Sequence, residues 1–125
     1  LTGRLPREQV LRLMAQSDVF AMPSRKEGFG IVYLEAMASG CVTIGSRGEG
    51  IDGVIRDGEN GMLVPAGDAK ALEAALRRAF DAPDRMRALR ERGRADALSF
   101  TWERNARETE AFYRQVLSRR SGRAR

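Results

Sequence analysis

Apolar positions in the first half of the chain fall in short runs separated by glycine- and proline-bearing turns. Val19-Phe20-Ala21-Met22 is one such run, halted by Pro23-Ser24, with the length and flanks of a buried strand. Val42-Thr43-Ile44 is β-branched, which favours the extended pleat, and Met62-Leu63-Val64 closes at Pro65. Leu1 to Leu5 reads as one more short strand. Between these runs the period changes. Val10, Leu13 and Met14 recur at helical steps behind Pro6, which suits a first helical turn because its missing N–H has no partner there anyway. Ile31, Leu34 and Ala38 repeat at three- and four-residue steps, so a helix follows the Gly28-Phe29-Gly30 turn directly and ends at Gly40. Gly45 to Gly53 holds four glycines and reads as loop with one helical turn, and Asp57-Gly58 and Asn60-Gly61 are turn dipeptides.

Beyond Asp68 the pattern is helical. Asp68 is placed to cap a helix carrying Leu72, Leu76, Ala79 and Phe80, and Pro83 breaks it. Met86 and Leu89 begin the next helix, which Gly93 weakens in its middle. Ser99 and Thr101 mark a further start. Trp102, Ala106, Thr109, Tyr113, Val116 and Leu117 then line one face of a long helix. Ser118 to Arg125 carries four Arg in eight residues and is expected to be a disordered basic tail, leaving residues 1–117 as the domain. Strands alternating with helices imply an α/β fold: a parallel sheet covered on both faces, three layers α/β/α. Ligands of such sheets bind beyond the carboxyl ends of the strands, which is where the Pro23–Gly30 loop lies.

Composition narrows the chemistry. The 125 residues amount to one domain, large enough to bury a core without metal or disulfide staples. There is no His, so imidazole bases, His-paired nucleophiles and His-ligated metals are excluded within the chain. The single Cys41 excludes an intrachain disulfide and fits a reducing, cytoplasmic setting. No apolar run approaches the roughly 18–20 residues of a membrane span. The chain opens Leu1-Thr2-Gly3-Arg4, with no Met and no signal-peptide pattern, which is expected of a piece of a longer protein. Residues 1–76 carry a net −2 and residues 77–125 a net +7. The basic half reads either as a solvated helical surface or as a peripheral contact with anionic lipid at the inner face of a membrane. Nucleic acid is not an expected partner, because no groove-reading motif or aromatic platform accompanies the charge. The apolar face of the last helix, Trp102 to Leu117, invites self-association.

The stretch Pro23-Ser24-Arg25-Lys26-Glu27-Gly28-Phe29-Gly30-Ile31-Val32-Tyr33-Leu34-Glu35 concentrates the chemistry. A helix amino terminus exposes unpaired N–H groups and the positive end of the dipole. Flanking glycines let a ligand approach the backbone, which suits phosphate. Glu27 before the helix and Glu35 inside it bracket this anion site. Carboxylates only accept hydrogen bonds, and sugar hydroxyls can donate them. A phosphate between hydroxyl-binding acids describes a nucleotide sugar. Against this, a Gly-x-Gly before a helix is often only a turn, and a helical Glu is often only solvated. Arg25 and Lys26 read as solvated loop charges or as local cations for a phosphate.

Glu27 to Glu35 matches the E-x7-E pattern, and here the chain resembles retaining glycosyltransferases of the family-4, or group 1, type. Ser17-Asp18-Val19-Phe20-Ala21-Met22-Pro23-Ser24 is similar to that family's ADVFVLPS strand. Glu35-Ala-Met-Ala-Ser-Gly40 is similar to its EAMACG, Asp57-Gly-Glu-Asn-Gly61-Met-Leu-Val64 to its DGxNGLLV, and Phe100-Thr-Trp102 to its FSW. The resemblance implies a Rossmann-like domain, the carboxy-terminal, donor-binding half of a GT-B glycosyltransferase. Such an enzyme transfers a hexosyl unit from an NDP-sugar, UDP- or GDP-linked, to a glycan or lipid-linked acceptor held by an amino-terminal domain. It implies Glu27 on the donor-sugar hydroxyls as the catalytic-site acid. Gly28, Phe29, Gly30, Ile31 and Val32 would lie on sugar and diphosphate oxygens, and Glu35 on the ribose. It implies no bound metal and no cofactor, with the fragment alone inactive. The family's G-G-x-P-E loop is here Gly48-Glu49-Gly50-Ile51-Asp52-Gly53, so its Pro and Glu positions hold Asp52 and Gly53. The family's diphosphate-gripping Arg and Lys are expected upstream of Leu1. The alternative is a non-catalytic nucleotide-binding module, or a basic module for membrane or polyanion.

Overall fold

The computed structural model describes residues 2–121, with side chains to Arg119. The elements are α1 (Arg7–Ala15), β1 (Val19–Ala21), α2 (Ile31–Ser39), β2 (Val42–Ser46), β3 (Met62–Val64), α3 (Ala69–Asp81), α4 (Pro83–Leu98) and α5 (Trp102–Ser121). The three strands form one parallel sheet in the order β1-β2-β3, with Val19 opposite Val42 and Ile44 opposite Met62. All five residues of the central strand are buried, as a strand covered on both faces requires.

The two faces follow from side-chain alternation. Val42, Ile44, Met62 and Val64 point to one side, where Ala75 and Ala79 of α3 and Met86 and Leu89 of α4 complete the core. Leu63 points to the other, against Tyr33 and Met37 of α2, Ile51 and Ile55 of the β2–β3 loop and Ala97 of α4. Met14, Ala36 and Cys41 join α1 to this second layer. The fold is thus the expected three-layer α/β/α sandwich. All three strands run the same way, so the loops 22–30 and 65–68 and the start of the 47–61 connection lie at one edge of the sheet, and that connection returns to the opposite edge before β3.

Local sequence signals hold where the chemistry is local. The Asp68 side chain accepts the Ala71 N–H at 2.9 Å and caps α3. Gly40 ends α2 in the left-handed conformation (φ 95°). Ile51 O accepts from the N–H groups of Val54 and Ile55, which is the single helical turn expected in the glycine-rich loop.

Four expectations are corrected. Thr2 to Leu5 form no strand, since Gly3 turns the chain with a φ of 67°; Leu1 lies outside the described residues. Pro83 does not merely end α3 but opens α4 as its first residue, where a missing N–H costs nothing. Gly93 is buried rather than a simple weak point: a β-carbon there would stand 2.7 Å from the Asn60 carbonyl oxygen, so glycine lets α4 touch the turn before β3. The helix α5 continues to Ser121, so residues 118–121 of the expected disordered tail are helical, and 122–125 lie outside the described residues. Thr101 starts α5 by accepting the Arg104 N–H at 3.2 Å, and the helix's large apolar side chains stand in solvent, Trp102 at 86% exposure.

Candidate functional site

The site is built at the carboxyl end of β1. The chain leaves the strand, passes Pro23 and turns at Gly28–Gly30 into α2. Gly30 sits at the helix N-cap in the left-handed region (φ 73°, ψ 51°), which disfavours a side chain on conformational grounds. Space forbids one as well, because a β-carbon there would stand 2.7 Å from the Tyr33 ring. No side chain caps α2. The amides of Phe29, Gly30, Ile31 and Val32 have no acceptor among the described residues; Phe29 and Ile31 are exposed, Val32 is half-buried and Gly30 is buried. Successive free amides at a helix start form a concavity suited to an anion.

Glu27 is half-buried beside this cradle. Its Oε1 accepts the Gly28 N–H at 3.1 Å, and its own N–H donates to Glu49 Oε2 at 3.0 Å. Its carbonyl accepts the Gly50 N–H at 3.3 Å. Gly50 lies so close that a β-carbon would fall 1.2 Å from the Gly28 carbonyl oxygen. The Gly48–Gly53 loop is thus docked on the Glu27–Gly30 loop, backbone on backbone. Beneath them the buried Tyr33 hydroxyl donates to the Met22 carbonyl, and its ring meets Phe20 edge-on with centroids 5.6 Å apart. Burial pushes the Tyr33 phenol above its ordinary value; the bond with Ser24 opposes this, and the negative charges of Glu27 and Glu49 add to the rise.

Glu35 lies one turn into α2 and is held by Arg7 of α1. Both Nε (3.1 Å) and Nη2 (2.5 Å) of Arg7 donate to Glu35 Oε1, leaving Oε2 without a partner among the described residues. Glu35 opens on a groove of about 490 Å³ with Phe29, Ile31, Leu34 and Ala38 on one wall and Phe100, Thr101 and Trp102 on the other. Glu27 does not line this groove. The structure therefore joins Gly28 to Glu35 in one loop-and-helix unit, but of the two acids Glu35 alone lines this groove. Arg25 is exposed, with its guanidinium against Gly67 of the loop after β3. Cys41 is buried, its thiol pushed up by burial, and donates to the Met14 carbonyl at 3.1 Å, a packing role.

Three residues of this arrangement escaped the reading of the sequence. Tyr33 had a signal, a hydroxyl-bearing ring inside an otherwise aliphatic helix face. Glu49 had a weaker one, an acid between two glycines. Arg7 had none, because it meets Glu35 across 28 residues.

A parallel α/β/α sandwich with a glycine turn feeding a helix at a strand's carboxyl end defines a Rossmann-like domain. The profile of the family described as glycosyl transferases group 1 matches residues 1–96, and the chain belongs to that family. The MMP alpha-(1->4)-mannosyltransferase of Mycolicibacterium hassiacum is 37% identical over 114 residues, which are 90% of this chain and 28% of that protein. Among solved structures, the sucrose-phosphate synthase of Thermosynechococcus elongatus is 34% identical with a TM-score of 0.78, over 94% of this chain and 30% of that one. Anabaena HepE, crystallised with UDP-glucose, is 26% identical with a TM-score of 0.66, over 69% of this chain and 24% of that one. The structural neighbours are GT-B glycosyltransferases. The chain spans about a quarter to a third of the length of the curated relatives it matches.

Proposed function

We propose that this chain is the donor-binding part of a retaining transferase that moves a hexosyl unit from a UDP- or GDP-sugar to a glycan or lipid-linked acceptor. The observation that carries the reading is the run of four amides, Phe29 to Val32, left without acceptors at the start of α2. HepE, solved with UDP and with UDP-glucose, supports UDP-sugars as the first donors to test.

In this reading the Gly28–Val32 backbone holds the diphosphate. The free Oε2 of Glu27 accepts from donor-sugar hydroxyls, and the free Oε2 of Glu35 accepts from the ribose, with Arg7 fixing the carboxylate from behind. The acceptor attacks the face from which the diphosphate departs. A leaving oxygen of that diphosphate takes the acceptor proton, and because the new bond to the anomeric carbon forms on the face where the old one breaks, configuration at the sugar is retained. Amides already aimed at the diphosphate stabilise the charge it gains without reorganising. Acceptor binding belongs to the remaining length of such a protein, and the chain alone binds donor without turning it over. Work on lipid-linked acceptors would set the protein in the cytoplasm, peripheral to the membrane; among the described residues no helix is long and apolar enough to cross one.

Calorimetry with UDP-, GDP- and ADP-sugars tests this reading. Saturable binding of one nucleotide series, weakened by Glu35→Gln, is the expected result. A folded protein that binds none of the three would sink it.

A further inference from the structure

We propose that Glu49 is a positioning residue for the donor sugar: by accepting the Glu27 N–H it holds the Glu27 side chain where the sugar hydroxyls arrive. This role rests on the reading of Glu27 as the sugar-binding acid.

The geometry is a two-point clamp. Glu49 Oε2 takes the Glu27 N–H at 3.0 Å, and the next residue, Gly50, gives its N–H to the Glu27 carbonyl at 3.3 Å. Both main-chain polar groups of Glu27 are therefore held by one loop. That loop is itself braced, since Asp52 Oδ2 accepts the Gly48 N–H at 2.6 Å and the Glu49 carbonyl accepts the Asp52 N–H at 2.8 Å. Ile51, fully buried in the second core layer, roots it in the sheet. On its side-chain side Gly28 is open, since a β-carbon there would meet no described atom within 4 Å, so the contacts with Glu49 and Gly50 are what hold this backbone. Within the clamp, Oε1 of the Glu27 carboxylate accepts the Gly28 N–H, and Oε2 has no partner among the described residues. Glu49 is a second acid beside Glu27, and the charges of both raise the Tyr33 phenol. Its presence is accounted for by the N–H it satisfies.

The test compares UDP with UDP-glucose, by NMR titration of the 125-residue chain, so that the affinity gained from the sugar is read by itself. Glu49→Ala removes the acceptor. Glu49→Gln keeps an acceptor oxygen and drops the charge. The expected result is that Glu49→Ala loses about tenfold of the sugar-dependent gain, ~1.4 kcal/mol, with UDP affinity unreduced, while Glu49→Gln keeps the gain. Retention of the gain in Glu49→Ala overturns the role, and so does equal loss in both variants, which would put Glu49 itself on the ligand. Loss of UDP and UDP-glucose affinity together also overturns it, because that is general loosening. Glu27→Gln separates the two levels: if it keeps the sugar-dependent gain, the reading of Glu27 fails, and if only Glu49→Ala keeps it, the clamp alone fails. A wild-type chain that binds neither ligand overturns both. Amide exchange without ligand gives an independent check. The Glu27 N–H should be protected in wild type and Glu49→Gln and unprotected in Glu49→Ala; an unprotected wild-type amide refutes the clamp.

Discussion

The contact between Gly50 and Gly28 sets up a test that separates folding from binding. In Gly50→Ala the new methyl would fall 1.2 Å from the Gly28 carbonyl oxygen and 2.3 Å from its carbon, whereas ordinary contact begins at 3.4 Å. Neither neighbour is the end of a flexible side chain, so the two loops must part by about 2 Å to restore contact distance. That separation breaks the Gly50–Glu27 and Glu49–Glu27 hydrogen bonds. At a net ~1 kcal/mol each, the loss is about 2 kcal/mol. Ala recovers roughly 0.4–1 kcal/mol by restricting the unfolded chain. The net loss of about 1–2 kcal/mol corresponds to a Tm lower by roughly 4–8 °C for a chain of this size. Gly28→Ala is the partner variant. Its β-carbon has no neighbour within 4 Å and its φ is not left-handed, so the melting temperature should stay within the range of ordinary surface changes, about ±0.5 kcal/mol. Gly28 belongs to the proposed diphosphate cradle, where a methyl would hold the ligand off the backbone, so UDP-glucose affinity should fall about tenfold, ~1.4 kcal/mol. Thermal melts by circular dichroism and titration calorimetry read the two effects. A Gly50→Ala chain that melts like wild type, or a Gly28→Ala chain less stable than Gly50→Ala, refutes the docking of these loops.

Three further outcomes are expected. Gly93→Ala should destabilise by about 1–3 kcal/mol in denaturant melts, although alanine is the better helix former, because its methyl would meet the Asn60 carbonyl at 2.7 Å; a stabilised variant would refute the contact. Asp96 accepts from Asn60 Nδ2 at 2.8 Å and from Arg56 at 2.7 Å; burial raises its carboxyl, but these bonds outweigh it and hold the group below its ordinary value. The folded chain then binds fewer protons than the unfolded one, so this stabilisation is complete above an unfolded value of about 4 and is lost as pH falls through the lowered folded value. Asp96→Asn should lower stability at pH 7 by about 1 kcal/mol and flatten the acid limb; an unchanged limb counts against the assignment. We propose that the exposed face of α5 self-associates: sedimentation should show dimers that dissociate when Tyr113 and Val116, 63% and 39% exposed, are changed to Ser, whereas a monomer at high concentration would exclude it.

The amino-acid order alone was enough for three strands, a buried parallel sheet and the helix starting at Ile31, because each rests on a local pattern: a β-branched run, a 3.6-residue stripe, a glycine at a cap. It also placed Gly28 to Glu35 beside a strand end, through the alternation of strand and helix. Local propensity misjudged Leu1–Leu5, where a strand needs a partner that Gly3 turns the chain away from, and Gly93, whose purpose is a neighbour 33 positions away. The clamp of Glu49 on Glu27 and the grip of Arg7 on Glu35 join residues 22 and 28 positions apart. Such pairs have no periodicity to betray them, since their meeting is decided by how loops and helices stack over the sheet. Which acid faces the groove, and which oxygen of each stays free, is therefore a property of the packed molecule.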